Sequence, residues 1–345
     1  MRFAVSRINA IVLSAVLRCF IRQRTSPGPT AVNAAARNAH LVRDALLLEG
    51  WPELVAQRIC ATIAAETADG SIDMVAAVGA DAAAERRRAS IERISGGPLA
   101  FNGWADRMAS LRRATAGHAP TRAVLEAIML CDYSNVTFKQ PLNLGGHRFP
   151  GGVRFDGATF GSDFTISGGR FLDEVSFERA QFNGEAGFEG TTFVKADFSA
   201  ARFAGEAQFR KAEFDGPARF DRSVFACGAW FRHCRFSSIL SWRNGRFQSD
   251  AALGSCVFIG DTAFSGSEFL DHAGFDHADF RAKAQFDACH FHHATWFKNA
   301  RFATVPSFAQ ARFAGATHFD GVSLPAESNA VRNQIDELQR RLASG

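Results

Sequence analysis

The chain has 345 residues, 47% of them hydrophobic, and a formal net charge of +4; this is room for two domains with a filled core in each and places it in the globular class. Its seven cysteines (19, 60, 131, 227, 234, 256 and 289) are an odd set without any Cys-x-x-Cys. That excludes a disulfide framework and a zinc knuckle and makes a reducing cytoplasm the expected compartment.

Residues 1–29 form a basic, partly apolar segment. Arg2, Arg7, Arg18, Arg22, Arg24, Arg37 and Arg43 meet no acid before Asp44, a pattern suited to an anionic surface. The apolar run from Ile8 to Leu17 is about half the length of a spanning helix. Arg18, Cys19, Phe20, Ile21 and Arg22 after it offer neither a signal-peptide nor a lipoprotein cleavage site. A peripheral membrane-surface or targeting contact, a basic tail and an over-extended start are the readings left open.

Residues 30–130 read as a small α-helical domain. Thr30 can cap a helix ending near Gly50, Pro52 starts one ending near Gly70, and Ser71 or Asp73 opens a third region. Further helices are expected from Ala84 to Ile94, Ala105 to Ala116 and Thr121 to Leu130, with Trp51, Phe101 and Trp104 as core. Arg86, Arg87, Arg88 and Arg93 read as the wet face of a helix, or as a patch for phosphate or an acidic partner. The last helix leads straight into Tyr133, which suits a cap on whatever follows.

From Tyr133 a large apolar residue recurs at steps alternating five and six, through Phe149, Phe155, Phe160, Ile166, Phe171 and Phe177 to Phe319 and Leu324. Of the 34 Phe, 30 fall in this register; Phe164 is the one stray inside it, and one slot filled this often points to a structural repeat. A small residue stands two places before the large one, as at Ala158, Ala180, Ala201, Ala212 and Ala278, and Cys131, Cys234, Cys256 and Cys289 share that slot as small buried hydrophobes. In the six-residue steps Gly151, Gly184, Gly205, Gly216, Gly260 and Gly315, with Asp173 and Asp271, read as corners with positive φ. The core stack is assigned to Phe155, Phe160, Phe177, Phe188, Phe209, Phe220, Phe231, Trp242, Phe264, Phe275, Phe286, Phe297, Phe308 and Phe319. Phe188, Phe193, Phe198 and Phe203 follow three successive fives, which predicts a local kink or a changed corner.

Segments such as Lys211-Ala212-Glu213-Phe214 and His277-Ala278-Asp279-Phe280 resemble the pentapeptide-repeat family, as a Phe-rich variant with an extra residue in every second step. The resemblance covers residues 133–324, within a repeat domain assigned to 131–324, and implies a right-handed quadrilateral β-helix with the central residues stacked inside. Two five-plus-six units per coil make roughly nine coils, each rising about 4.8 Å.

Residues 325–345 carry Val331, Ile335, Leu338 and Leu342 at the spacing of a short helical seam, for a cap on the solenoid end or a homodimer contact. No Gly-rich phosphate loop, zinc-protease helix or nucleophile elbow occurs, so no catalytic, cofactor or metal residues are assigned. Cys289, His290, His292 and His293 hold ligand atoms, but Cys289 faces inward in the repeat register. His233, His272, His277 and His318 add to a histidine-rich second half, read as solvated side chains or as a pH-sensitive or metal-binding face.

The expected function is that of a non-enzymatic interaction or scaffolding protein with an unidentified protein partner. The resemblance supplies an alternative, a DNA-mimic-like binder of a type II topoisomerase, which needs an acidic surface. Residues 131–324 hold 20 basic and 21 acidic residues, too little net field to imitate a phosphate backbone, and a nucleic-acid partner is not expected either. A third reading places an enzyme or a membrane-surface adaptor in the helical domain, where a pocket with His40, Cys60 or Glu66 would support it; His118 is the other histidine before the repeat.

Overall fold

The computed structural model describes residues 86–114 and 129–343 throughout, with short pieces between 40 and 61 and at 125–126. The readings for residues 1–29, Trp51, Glu66, His118 and the side chains of Leu338 and Leu342 lie outside the described residues. The chain divides into two compact units, Met1–Ala89 with Ser110–Ile128, and Ser90–Ala109 with Met129–Gly345. The described positions between 40 and 61 are helical.

The larger unit is a parallel β-solenoid with four faces. Its strands are mostly two residues long, and each pairs in parallel with the equivalent strand one coil away. Two faces are separate nine-stranded sheets. The other two join into one sheet because Arg170–Ser176 and Thr192–Asp197 run unbroken round the corner between them. No helix or alternating strand suits a beat of five to six; a coil whose sides each bury one large and one small side chain does.

Four columns of side chains fill the interior. Tyr133, Phe155, Phe177, Phe198 and Phe220 stack with centroids 4.8 Å apart at each step, and Trp242, Phe264, Phe286 and Phe308 continue the column. Neighbouring columns meet edge-on, as where Phe177 meets Phe188 at 86° and 5.5 Å. Stacking within columns and T-shaped contact between them are the two geometries the aromatic quadrupole favours. All fourteen residues of the assigned stack are buried, and each buried Phe contributes roughly 1.5 to 3 kcal/mol.

Phe164, the stray, is also buried: it occupies a small slot two places before Ile166 and packs 4.5 Å from the Phe160 ring. A large residue in the small slot is balanced by a smaller one in the central slot, the volume exchange that cores tolerate best.

The corners differ from the expectation. Positive φ falls at the second residue after the large one in the five-residue steps, as at Asn135, Gly157, Arg179, Gly190, Ala200, Arg222, His233 and Asn299. Each is the third residue of a turn closed by a bond such as Val136 N–H to Tyr133 O at 3.1 Å, where positive φ is required. Gly151, Gly184, Gly205, Gly216, Gly260 and Gly315 have no such φ. They are glycine because coils press together there: a Cβ at Gly216 would lie 2.1 Å from the Val194 carbonyl oxygen, and one at Gly205 2.3 Å from that of Gly184.

The three successive fives produce a changed corner. The step from Phe193 to Phe198 has no glycine corner residue and Thr192–Asp197 runs as one strand, with the register against Arg170–Ser176 shifting between Phe193 and Lys195. The columns pass through undisturbed, with Phe171 to Phe193 at 5.4 Å and Phe177 to Phe198 at 4.8 Å.

Both ends of the stack carry helical segments. Helix α1, Gly97–Ala114, starts well before the expected Ala105. Gly97, at φ 75°, ends the preceding helical stretch and Pro98 opens the new one, the position where proline's missing N–H costs nothing. Phe101 of α1 packs 4.8 Å from Phe149 of the first coil, and Trp104 packs 5.2 Å from Phe101. Arg93 lies with its guanidinium 4.4 Å over Trp104, a cation–π contact rather than a purely wet face. Helix α2, Asn329–Ala343, packs on strand Thr317–His318 with Val331 and Ile335 buried, and Arg332 donates to the carbonyls of Leu324 and Pro325 at 3.2 Å.

Candidate functional site

Because the interior is filled, chemistry is confined to side chains that point outward. On one nine-stranded face the outward position of successive strands is Gln208, Trp230, Ala252, Gly274, Trp296 and His318. Two tryptophans thus flank an alanine and a glycine, three coil steps or about 14 Å apart. The small residues leave a groove of about 610 Å³, lined also by Arg232, Asp250, His272, Asp276 and Lys298.

The walls are half-buried aromatic surfaces. Trp296 stacks on His318 with centroids at 5.8 Å and 10° between planes, and the His272 ring centroid lies 5.4 Å from that of Trp296 at a 31° tilt. The Trp230 indole folds over Gly228, where any Cβ would come within 2.6 Å of the ring. The floor is equally specified: a Cβ at Gly254 would meet the Asp276 carboxylate at 2.7 Å, and that carboxylate also faces Arg232 at 3.6 Å.

At the edge of the groove His272 Nδ1 lies 3.2 Å from Asp250 Oδ1 and 2.9 Å from Asp271 Oδ1. The Asp271 carboxylate also accepts the His272 backbone N–H at 3.0 Å. The three ligand atoms lie within 4.8 Å of one another. An aromatic-walled groove rimmed by both signs of charge can grip a flat or extended group by stacking and orient it by hydrogen bonds.

The residues singled out earlier disperse. Cys289 is buried, its thiol donating to the Phe264 carbonyl at 3.0 Å and its pKa pushed up to about 12 by burial. His290 and His292 stand on another face, His292 Nε2 facing Glu268 at 3.3 Å, while His293 lies 5.9 Å from His272. His233 and His277 supply turn residues with positive φ. His40 is exposed and Cys60 half-buried, in the other unit. Trp230, Trp296 and Asp250 sit in neither repeat slot, so the periodicity gives no sign of them; Asp271, read from the sequence only as a corner, and His272, read only as one of the solvated, pH-sensitive or metal-binding histidines, are brought together with Asp250 by the fold. Writing the sequence in rows of 22 would have set Trp230, Ala252, Gly274 and Trp296 in one column.

Among the described residues no helix is long and apolar enough to cross a membrane. No curated protein and no solved structure matches the chain. Residues 146–192 and 198–246 match the family model described as pentapeptide repeats (9 copies). With a small residue and a stacked Phe on each side of a four-faced parallel coil, this part of the protein is a pentapeptide-repeat solenoid.

Proposed function

We propose that the protein is a non-enzymatic interaction scaffold that binds a protein partner on the face bearing the groove. The observation that carries this reading is the pair of tryptophans, Trp230 and Trp296, standing either side of Ala252 and Gly274 on an otherwise modest surface. Tryptophan is the residue most enriched in the anchors of protein interfaces, and a rigid, backbone-paired face presents it with little ordering cost.

The charge pattern favours a scaffold over imitation of DNA. Arg148, Arg170, Arg202, Arg246, Arg301 and Arg312 occupy outward strand positions with Glu213, Glu268 and Asp279 among them, so the strand faces are not an acidic surface. Burial of Val331 and Ile335 supports a capping role for α2 in preference to a dimer seam.

The test is affinity capture from source-cell lysate at near-physiological salt, comparing the full chain with a Trp230→Ala, Trp296→Ala double variant. Both side chains lie outside the stacked columns, so the double variant should stay folded, which its circular dichroism and melting curve check alongside the capture. Partners captured by the parent and lost by the variant support the reading; an unchanged partner set sinks it.

A further inference from the structure

We infer that Asp250, Asp271 and His272 form a binding site for a divalent transition-metal ion of the zinc type, at the edge of the tryptophan groove. The ligand atoms already stand close to coordination spacing. Zinc holds nitrogen and oxygen donors at roughly 2.0 to 2.2 Å, so adjacent donors of a tetrahedral site lie about 3.4 Å apart. The His272 nitrogen stands 3.2 Å from Asp250 Oδ1 and 2.9 Å from Asp271 Oδ1, and small side-chain shifts around an ion reach that spacing.

The backbone places these donors. Ala251 pairs with Ala273 and Ala273 with Thr295, so Asp250 is stacked on His272 and Asp271 on His293 in successive coils. Three coils therefore deliver a diagonal set of two carboxylates and two imidazoles at the pitch of a β-sheet. Imidazoles on a single zinc have ring centres roughly 5 to 6 Å apart; the His272 and His293 rings lie 5.9 Å apart. His293 is exposed and can turn to add a second nitrogen.

The local charge also suits a cation. Two carboxylates converge on one imidazole nitrogen, which offers a single proton at most. The basic side chains of the adjacent groove are Arg232, whose partner is Asp276, and Lys298. A mixed imidazole and carboxylate set selects zinc and its first-row neighbours over calcium or magnesium, which take oxygen ligands alone. This inference does not depend on the identity of any protein partner.

Calorimetric titration of the full chain with zinc chloride, under reducing conditions without chelating buffer, tests it. Expected is saturable binding that weakens at least tenfold in Asp250→Asn and in His272→Ala, with calcium chloride giving no comparable signal. His290→Ala with His292→Ala, and Cys227→Ser, should bind as the parent does. Zinc should also raise the parent's melting temperature but not that of His272→Ala, since the ion ties adjacent coils in the folded state only. No saturable zinc binding by the parent, or equal affinity in Asp250→Asn and His272→Ala, overturns the assignment.

Discussion

The side chain of Asn102 closes both hydrogen-bonding groups of the first coil's edge beside Arg148: its Oδ1 accepts the Arg148 backbone N–H at 2.9 Å while its Nδ2 donates to the Gly146 carbonyl at 3.0 Å. One amide thus does what a further strand would do. Around it, Phe101 covers the Phe149 ring, Asp106 pairs with the Arg148 guanidinium at 3.0 Å, and Ser90 takes the Asp132 N–H at 3.1 Å. Open strand edges recruit other chains unless they are blunted or covered.

Asn102→Ala should therefore destabilise the solenoid by about 1 kcal/mol, the net worth of an ordinary hydrogen bond where water can partly replace it. It should also increase self-association. Urea denaturation measures the first effect and light scattering across a concentration series the second; a variant as stable and as dispersed as the parent would contradict the capping role.

Two glycines separate the two reasons for having glycine. Gly216→Ala drives a methyl into the Val194 carbonyl at 2.1 Å and should cost about 1 to 3 kcal/mol, as overpacking does. Gly190→Ala meets nothing within 4 Å but keeps φ at 62°. Its cost should stay under about 1 kcal/mol, because a stiffer unfolded chain offsets part of the backbone strain. Ala200 holds the equivalent turn position. Paired denaturation curves of the two variants decide between the accounts.

His147 gives the solenoid a pH dependence. It is buried between Phe101 and Phe149, and neither ring nitrogen meets a hydrogen-bond partner among the described residues. Burial lowers its pKa from 6.5, only partly offset by the nearby carbonyls of Leu144 and Gly145. The unfolded chain then binds the proton that the folded one resists. The stability His147 contributes is complete above pH 6.5 and is lost as pH falls from there through the lowered folded value. Melting temperatures from pH 7.5 to 5 should drop in the parent and drop less in His147→Leu; equal slopes would contradict this.

The cysteines should divide by burial. Burial pushes the Cys131 and Cys289 pKa values up to about 12 and raises that of Cys234, whose thiol donates to the Phe209 carbonyl at 2.9 Å. Since the thiolate is the nucleophile, native iodoacetamide treatment at pH 8 should spare Cys131, Cys234, Cys256 and Cys289 and modify exposed Cys227. Peptide mapping before and after denaturation reads this directly, and native labelling of Cys289 would contradict its inward packing.

The columns were legible because the same physical demand recurs at every central position, and one residue type answers it. Phe220 and Phe231 announce themselves; Phe164 does not, since its volume is exchanged with Ile166. Periodicity located the corners but not their dihedral angles, so glycines that admit a close approach were read as glycines that admit positive φ. The Asn102 cap depends on residues 44 and 46 positions away, beyond the reach of any local pattern. The groove residues escaped for the opposite reason: solvent-facing positions obey no packing rule, and Trp230 and Trp296 differ from Ala252 and Gly274 only by what the face is for.

The corner at residues 193–198 shows where this architecture tolerates changes in chain length. One coil has a residue fewer than its neighbours, yet every column on either side keeps its phase, because the loss was absorbed outside the stack. Insertions and deletions at that corner can accordingly accumulate without disturbing the coils beyond it. Ornament on the outside is free to diverge coil by coil, while the interior can be lengthened or shortened only in whole turns.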